Sequence, residues 1–213
     1  MEVDMTNGQI DLLKLFSQVT KTVKKNQTTL NQADEYNHDH GDNMVEIFDV
    51  ITQAMKAKKN AAPADQLEYA AQLLRNKSQS GSANLYASGL EQAAKQVLGQ
   101  EVNTGTVLTI LQTLMGGGAA PKGAAGGGDM LSSLLGQLGG GSSAESGQGL
   151  DLGNLLSAGM GYMAAKQGGK SDIEALTSAL LSGSQMAQTP HRAQSGELVA
   201  STLLKSLSGM INK

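Results

Sequence analysis

Groups that bind metal ions are concentrated in one short stretch of the chain, "DEYNHDHGDNM" at positions 34–44. The chain of 213 residues is only 16% charged and has 3 histidines, yet His38 and His40 both lie in this stretch. Aspartate oxygens are the ligands that Mg²⁺ and Ca²⁺ prefer, whereas imidazoles suit zinc and other transition metals. The stretch is therefore a candidate site for a divalent metal ion.

A helix is expected to begin directly after this cluster, near Asp42 or Asn43, because an apolar pattern with helical spacing follows. The free N–H groups and the positive dipole end of a helix start form a natural anion site. A metal ion beside a helix start favours a phosphate that bridges the two. The alternative is a polar, solvated loop in which Asp42 only caps the following helix.

Composition argues against several classes of partner. The net charge is −3, no basic cluster is denser than "KTVKK", and aromatic residues make up only 3% of the chain, so we expect no nucleic-acid binding. The absence of cysteine excludes disulfides and thiol chemistry. No apolar run reaches the roughly 18 residues that a membrane-spanning helix needs, and the first residues lack a signal-peptide pattern. We therefore expect no membrane association and a cytoplasmic location.

Apolar residues recur with helical spacing along most of the chain, and no alternating pattern predicts a strand. The stripes expected to face the core are Leu12, Phe16, Val19 and Val23; Met44, Ile47, Phe48, Ile51 and Met55; Leu67, Ala70, Ala71 and Leu74; Tyr86, Leu90, Ala93 and Val97; and Val107, Leu111 and Leu114. "KKNAAP" and "NKSQSGS" mark breaks between helices, and a last helix is expected over about Glu197 to Ile211. We predict one all-α domain over residues 1–213, with about eight antiparallel helices.

Two glycine-rich stretches interrupt this pattern, "MGGGAAPKGAAGGGDM" from 115 and "GGGSSAESGQG" from 139. We predict that residues 115–128 and 139–149 are flexible. They are either a linker of low complexity or a mobile flap over a ligand site. Further along, "SDIE" at 171–174 has the spacing of a helix-capping box.

The segment "LNQADEYNHDHGDNM" resembles the magnesium-binding signature of the nucleotide-binding (L) subunit or domain of dihydroxyacetone kinases. That signature is roughly Leu-x-x-x-Asp, a short spacer, and then Asp-x-Asp-His-Gly-x-Asn-Met. The matching residues in this chain are Leu30, Asp34, Asp39, His40, Gly41, Asn43 and Met44. Asn37 stands where the family has its middle aspartate, and the spacer is about two residues shorter.

Later segments resemble the same family in the same order. "SGSANLY" at 80–86 is similar to its phosphate-contacting Thr/Ala-Ser-Gly-x-Leu-Tyr segment, with one residue inserted. "GGKSDIEAL" at 168–176 resembles Gly-Asp-Lys-Thr-Met-Leu-Asp-Ala-Leu. "TPHRAQSGELVAS" at 189–201 is similar to Gly-His-x-Asp-Pro-Gly-Ala-x-Ser, with Gln194 and Ser195 in place of the Asp-Pro pair. The resemblance thus extends from about residue 8 to residue 210.

The resemblance implies a barrel of eight antiparallel helices that holds ADP or ATP at one end through two Mg²⁺ ions. The sugar would be held by a separate K-type domain or subunit. The metal ligands implied for this chain are Asp34, Asn37 and Asp39. The nucleotide contacts implied are His40, Gly41, Asn43, Met44, Ser80, Gly81, Ser82 and His191. A nucleotide site of this kind needs a cover, which favours the flap interpretation of the glycine-rich segments.

Asn37 weakens the implied metal site, because it replaces a carboxylate by one neutral carbonyl oxygen. The site would then hold one ion, bind nucleotide weakly, or use Asp42 as a substitute. Two hypotheses about function follow. Either the chain is the nucleotide- and magnesium-binding component of a dihydroxyacetone-kinase-type phosphotransferase, acting with a K-type partner, or it is a degenerate, non-catalytic helical relative that binds or regulates another protein.

Overall fold

The computed structural model describes residues 10–115, 163–164, 166–169, 174–175, 177–178, 181 and 184–211. These residues form helices and turns and contain no strand, which confirms the predicted all-α class. Apart from Met115, the glycine-rich segments 115–128 and 139–149 lie outside the described residues. So do Lys170 and Ser171 in the segment at 168–176.

The helices with described bounds are α1 (Leu12–Gln32), α2 (His40–Ala57), α3 (Pro63–Lys77), α4 (Gly81–Gln96), α5 (Thr104–Leu114) and α6 (Pro190–Ile211). A short 3₁₀ helix, Gln185–Gln188, precedes α6. Each helix from α1 to α5 packs against the next, and α6 packs against both α1 and α5. Short connections make successive helices antiparallel, so α2 and α4 begin at the same end of the molecule.

The helix starts follow from local sequence. Asp11 accepts a hydrogen bond from the backbone N–H of Leu13 at 2.8 Å and so caps α1. Ser80 caps α4 in the same way, through the N–H of Ala83 at 3.1 Å. Pro63 begins α3, as its missing N–H allows. The same property places the start of α6 at Pro190, earlier in the chain than the predicted start near Glu197.

All members of the predicted apolar stripes are buried in the core, so these predictions are confirmed. The core also contains residues outside the stripes, such as Leu15, Leu30 and Val199. Phe48 of α2 and Tyr86 of α4 meet edge to face at its centre, with 5.1 Å between ring centroids. Glycine permits a close approach between α4 and α5, because a Cβ atom at Gly89 would lie 2.6 Å from the carbonyl oxygen of Thr113. Within the described residues, none of the helices has both the length and the apolarity needed to cross a bilayer.

The buried hydroxyl of Tyr86 gives a first prediction. It makes no hydrogen bond to any described residue, and burial raises the pKa of Tyr86 above its ordinary value. Removing an unpaired buried hydroxyl relieves a desolvation cost, so Tyr86→Phe should leave the unfolding free energy unchanged or raise it by about 1 kcal/mol. Urea denaturation measures this, with Phe48→Ala as a control expected to lose about 3–5 kcal/mol. A clear loss in Tyr86→Phe would contradict an unpaired hydroxyl.

Candidate functional site

A polar cavity of about 760 Å³ lies where α2, α4 and α6 begin. Three segments that are far apart in the chain line it, within residues 34–46, 77–82 and 189–192. The residues named from the sequence that line this cavity are Asp34, Asn37, Asp39, His40, Asn43, Ser80, Gly81, Ser82 and His191. The tertiary structure therefore brings the first, second and last motif segments to one place.

The cavity is surrounded by helix starts. Asn43 belongs to the first turn of α2, Ser82 to that of α4 and Arg192 to that of α6, and all three line the cavity. Each helix start carries a partial positive charge. At the start of α2, the N–H groups of Gly41 and Asp42 are already bonded to Oδ1 of Asn31, so that start contributes its dipole more than free donors. Lys77 adds a further cation at the end of α3. This arrangement suits an anionic ligand with several oxygen atoms, such as a phosphate chain.

Asp34 supplies a negative charge at the buried side of the cavity, where its side chain is only 5% exposed. Its carboxylate accepts a hydrogen bond from the N–H of Tyr36 at 3.1 Å and lies 3.9 Å from Nδ1 of His191. Burial raises the pKa of Asp34, but the Tyr36 N–H and the charge of His191 outweigh it, so the net pKa falls below the ordinary value. Asp34 is therefore ionised at neutral pH.

Asp39 is the second carboxylate of the motif in the cavity. It is half-buried, directly precedes α2, and accepts a hydrogen bond from Nδ2 of Asn43 at 2.7 Å. Among the described residues, no three carboxylate, imidazole or thiol side chains converge into a ready-made metal site. Mg²⁺ usually takes one or two carboxylates and completes its shell with water and phosphate oxygens. Asp34 and Asp39 fit that pattern, and Asn37 offers a further oxygen from the exposed loop.

His40 is buried at the first position of α2. Its Nε2 lies 2.9 Å from Oγ of Ser195, and its ring packs on that of His191 with centroids 4.7 Å apart. Burial and the neighbouring charge of His191 lower the pKa of His40 to about 4, although Asp34 favours the charged form. His40 is therefore uncharged at neutral pH.

The uncharged state of His40 predicts a pH-dependent stability. Its pKa is about 4 in the folded protein, below the ordinary 6.5, so the unfolded chain binds the proton more tightly. The stabilisation is present above pH 6.5 and is lost as the pH falls toward 4. In metal-free buffer, we expect a loss of about 1–2 kcal/mol between about pH 7 and pH 5.

Two variants separate this effect from general acid denaturation. His40→Gln keeps an amide donor for Ser195 but cannot titrate, so its stability should change less over the same pH range. His38→Gln alters an exposed histidine of the same loop and should keep the profile of the parent. Thermal melts at several pH values give the comparison. Parallel profiles for the parent and His40→Gln would contradict the assignment to His40.

Arg192 is the main cavity residue that sequence reasoning missed. Its guanidinium lies over the start of α4, where a Cβ atom at Gly81 would be only 2.8 Å from Nη2. The Nε atom of Arg192 is buried and bonds to none of the described residues. The available signal was its position directly after His191 in "TPHRAQSG". Arg192 and Gly81 together bring a fixed positive charge next to exposed backbone N–H groups.

Gly41 and Met44, both named as nucleotide contacts, do not line the cavity. Met44 is fully buried in the core. Gly41 lies against α1, because a Cβ atom there would be 2.1 Å from the carbonyl oxygen of Gln27. For both residues the structure shows a packing role.

The sequence predicted that α2 begins near Asp42 or Asn43, with Asp42 as a possible helix cap. In the structure α2 begins at His40, so Asp42 lies within the first turn of the helix. The carboxylate of Asp42 accepts hydrogen bonds from Gln27 at 2.6 Å and Asn31 at 3.1 Å, both on α1. Oδ1 of Asn31 in turn accepts from the N–H groups of Gly41 and Asp42, at 2.6 and 3.1 Å. Asn31 thus takes the capping role expected of Asp42, and Asp42 is directed to α1 and does not substitute for Asn37 in the cavity.

The described residues define an all-α protein with a polar cavity at one end of its helices, lined by the carboxylates Asp34, Asp39 and Glu46 and by the cations Lys77 and Arg192. Comparison of the chain with protein-family models, with curated proteins and with solved structures finds no match.

Proposed function

We propose that this chain is the nucleotide- and magnesium-binding component of a dihydroxyacetone-kinase-type phosphotransferase. The observation that carries the proposal is the meeting of three motif segments in one cavity. These segments were singled out by their residues alone, and residues 34–44, 80–82 and 189–192 are far apart in the chain. A shared ligand explains why these segments meet in one cavity, whereas three unrelated polar loops would have no reason to converge.

The proposal includes a barrel of eight antiparallel helices. Its support is the order of packing, because α1 to α5 contact one another in sequence and α6 contacts both α1 and α5. In a closed ring of helices, each helix contacts the next one and the last helix contacts the first. The contacts of α6 with α1 satisfy this condition. Ala175 and Leu181, which are helical and buried, belong to further helix between α5 and α6.

Within the cavity, the phosphates of ADP or ATP lie at the helix starts, beside Arg192 and Lys77. Ser80 and Ser82 flank Gly81, whose missing side chain leaves room for both the Arg192 guanidinium and a phosphate oxygen. Asp34 and Asp39 are the residues that would hold Mg²⁺. When bound, Mg²⁺ would offset the negative charge of the phosphates during phosphoryl transfer. The residues of this chain hold and orient the nucleotide, while the sugar lies on a separate K-type partner.

A thermal-shift experiment tests the proposal. Mg-ADP at a hundred times its dissociation constant should stabilise the protein by about 2.7 kcal/mol, which raises Tm by roughly 5–10 °C for a chain of this size. ADP with EDTA, and Mg²⁺ without nucleotide, should each give a much smaller shift. A shift that needs both Mg²⁺ and ADP indicates a metal–nucleotide site, whereas a similar shift with ADP and EDTA would indicate simple anion binding.

A folded protein that Mg-ADP does not stabilise would favour the second hypothesis, a non-catalytic helical relative that binds or regulates a protein. The observation that favours this candidate is Asn37, which leaves the implied metal site one carboxylate short.

A further inference from the structure

Tyr36 is an exposed aromatic residue in the lining of the cavity. At 87% it is the most exposed large hydrophobic side chain of the described residues, and the other two, Leu98 and Met163, do not line the cavity. The other described phenylalanine and tyrosine rings pack in or against the core. A single exposed apolar side chain is common on protein surfaces, so it is the position of the Tyr36 ring that matters.

Three rings follow one another from the buried part of the cavity to its opening, namely those of His40, His191 and Tyr36. The ring of His40, a residue that is 4% exposed, has its centroid 4.7 Å from that of His191, whose side chain is 13% exposed. The ring of Tyr36 meets the His191 ring edge to face, with 6.5 Å between centroids. Exposure rises along this row, so the Tyr36 ring lies largely uncovered at the opening.

The backbone of Tyr36 is tied to the proposed metal site. Its N–H donates to Oδ1 of Asp34 at 3.1 Å, and Asp34 is one of the two carboxylates proposed to hold Mg²⁺. The same cavity is lined by Lys77 and Arg192, beside which the phosphates are proposed to lie. Its volume of about 760 Å³ is within the range of roughly 300–1,000 Å³ that is typical of small-molecule sites. An uncovered ring in a cavity that also offers cations and carboxylates matches a ligand with charged phosphates at one end and a flat base at the other.

We propose that Tyr36 contacts the base of the bound nucleotide, with its ring stacked on the nucleobase at the opening of the cavity. The inference rests on the proposed function and adds to it a residue that is not among the motif positions matching dihydroxyacetone kinases. Stacking uses the ring and not the hydroxyl, so phenylalanine can replace tyrosine, whereas alanine removes the contact. Both substitutions keep the backbone N–H that bonds to Asp34.

Calorimetric titration of the full chain with Mg-ADP and with Mg-pyrophosphate tests this, because pyrophosphate has the phosphates without a base. In Tyr36→Ala we expect the affinity for Mg-ADP to fall about tenfold and the affinity for Mg-pyrophosphate to stay that of the parent. Tyr36→Phe should bind both ligands as the parent does. Leu98→Ala is the matched control, since it removes a side chain that is 73% exposed but lies outside the cavity lining, and it should change neither affinity.

Unchanged binding of Mg-ADP by Tyr36→Ala would overturn the proposal and leave the exposed ring for contact with the K-type partner. Equal losses for Mg-ADP and Mg-pyrophosphate would also overturn it, because they would show a general effect on the loop. If the parent binds both ligands with equal affinity, the phosphate site stands and the base contact alone fails. If the parent binds neither ligand, the proposed function fails, and the base contact fails with it.

Discussion

Asp39→Ala is expected to abolish the binding of Mg-ADP and to leave the fold intact. Asp39 lines the cavity, and its one hydrogen bond to a described side chain is to Asn43, at 2.7 Å. Without it, Asp34 is the remaining motif carboxylate in the cavity, and Glu46 is the other carboxylate of the lining. The loss of one of the two proposed ligands removes an oxygen and a negative charge that Mg²⁺ needs beside Arg192 and Lys77. A half-buried polar loop residue contributes little to folding, so the unfolding free energy should fall by less than about 1 kcal/mol. Calorimetric titration measures the binding.

Asp42→Ala is the matched control. Asp42 lies in the same motif and at the same helix start, but its carboxylate bonds to Gln27 and Asn31 on α1 and does not line the cavity. We therefore expect its affinity for Mg-ADP to stay close to that of the parent. Equal losses in both variants would point to a general effect of charge, and parent-like binding by Asp39→Ala would leave the loop without a role in nucleotide binding.

Asn37→Asp should act in the opposite direction to Asp39→Ala. Asn37 lies on the exposed loop that lines the cavity, where an aspartate adds one negative charge and one oxygen. The expected gain in affinity for Mg-ADP is about tenfold, which corresponds to about 1.4 kcal/mol. If neither the parent nor Asn37→Asp binds nucleotide, the non-catalytic hypothesis replaces the proposed function.

Gly41→Ala should strongly destabilise the protein. In the interior of a helix this change is normally favourable, because alanine has the higher helix propensity. Here the new Cβ atom would lie 2.1 Å from the carbonyl oxygen of Gln27 and 2.7 Å from Oδ1 of Asn31, so α1 and α2 would have to separate. We expect a loss of about 3 kcal/mol and a fall in Tm of roughly 6–12 °C. Urea denaturation and thermal melts measure both.

Gly81→Ala is the control for Gly41→Ala, since its Cβ atom would meet only the end of the flexible Arg192 side chain, at 2.8 Å. The guanidinium can move aside, so stability should change by less than about 1 kcal/mol. Binding of Mg-ADP should weaken, because the positive charge is displaced from the start of α4. A loss below about 1 kcal/mol in Gly41→Ala as well would show that α1 and α2 can separate without cost.

The sequence by itself determined the all-α class and the apolar helix faces that pack into the core, while the predicted starts of α2 and α6 differed from those in the structure. The class and the helix faces follow from interactions between residues that are near in the chain. The apolar spacing at Leu12, Phe16 and Val19 defines a buried helix face, and Pro63 and Ser80 define helix starts through groups within a few residues. The residue types of the 34–44 motif also identified Asp34 and Asp39, two of the three carboxylates among the described residues that line the cavity; the third, Glu46, lies outside the motif.

Only the tertiary structure decided which groups meet across the chain. Periodicity shows that Gly41 and Asp42 lie near a helix start, but not that α1 packs against Gly41 or that Asn31 and Gln27 bind Asp42. The bond between His40 and Ser195 joins residues that are 155 positions apart. Such partners depend on how the helices pack, because a hydrogen bond or a steric contact acts over a few ångströms, whatever the separation along the chain.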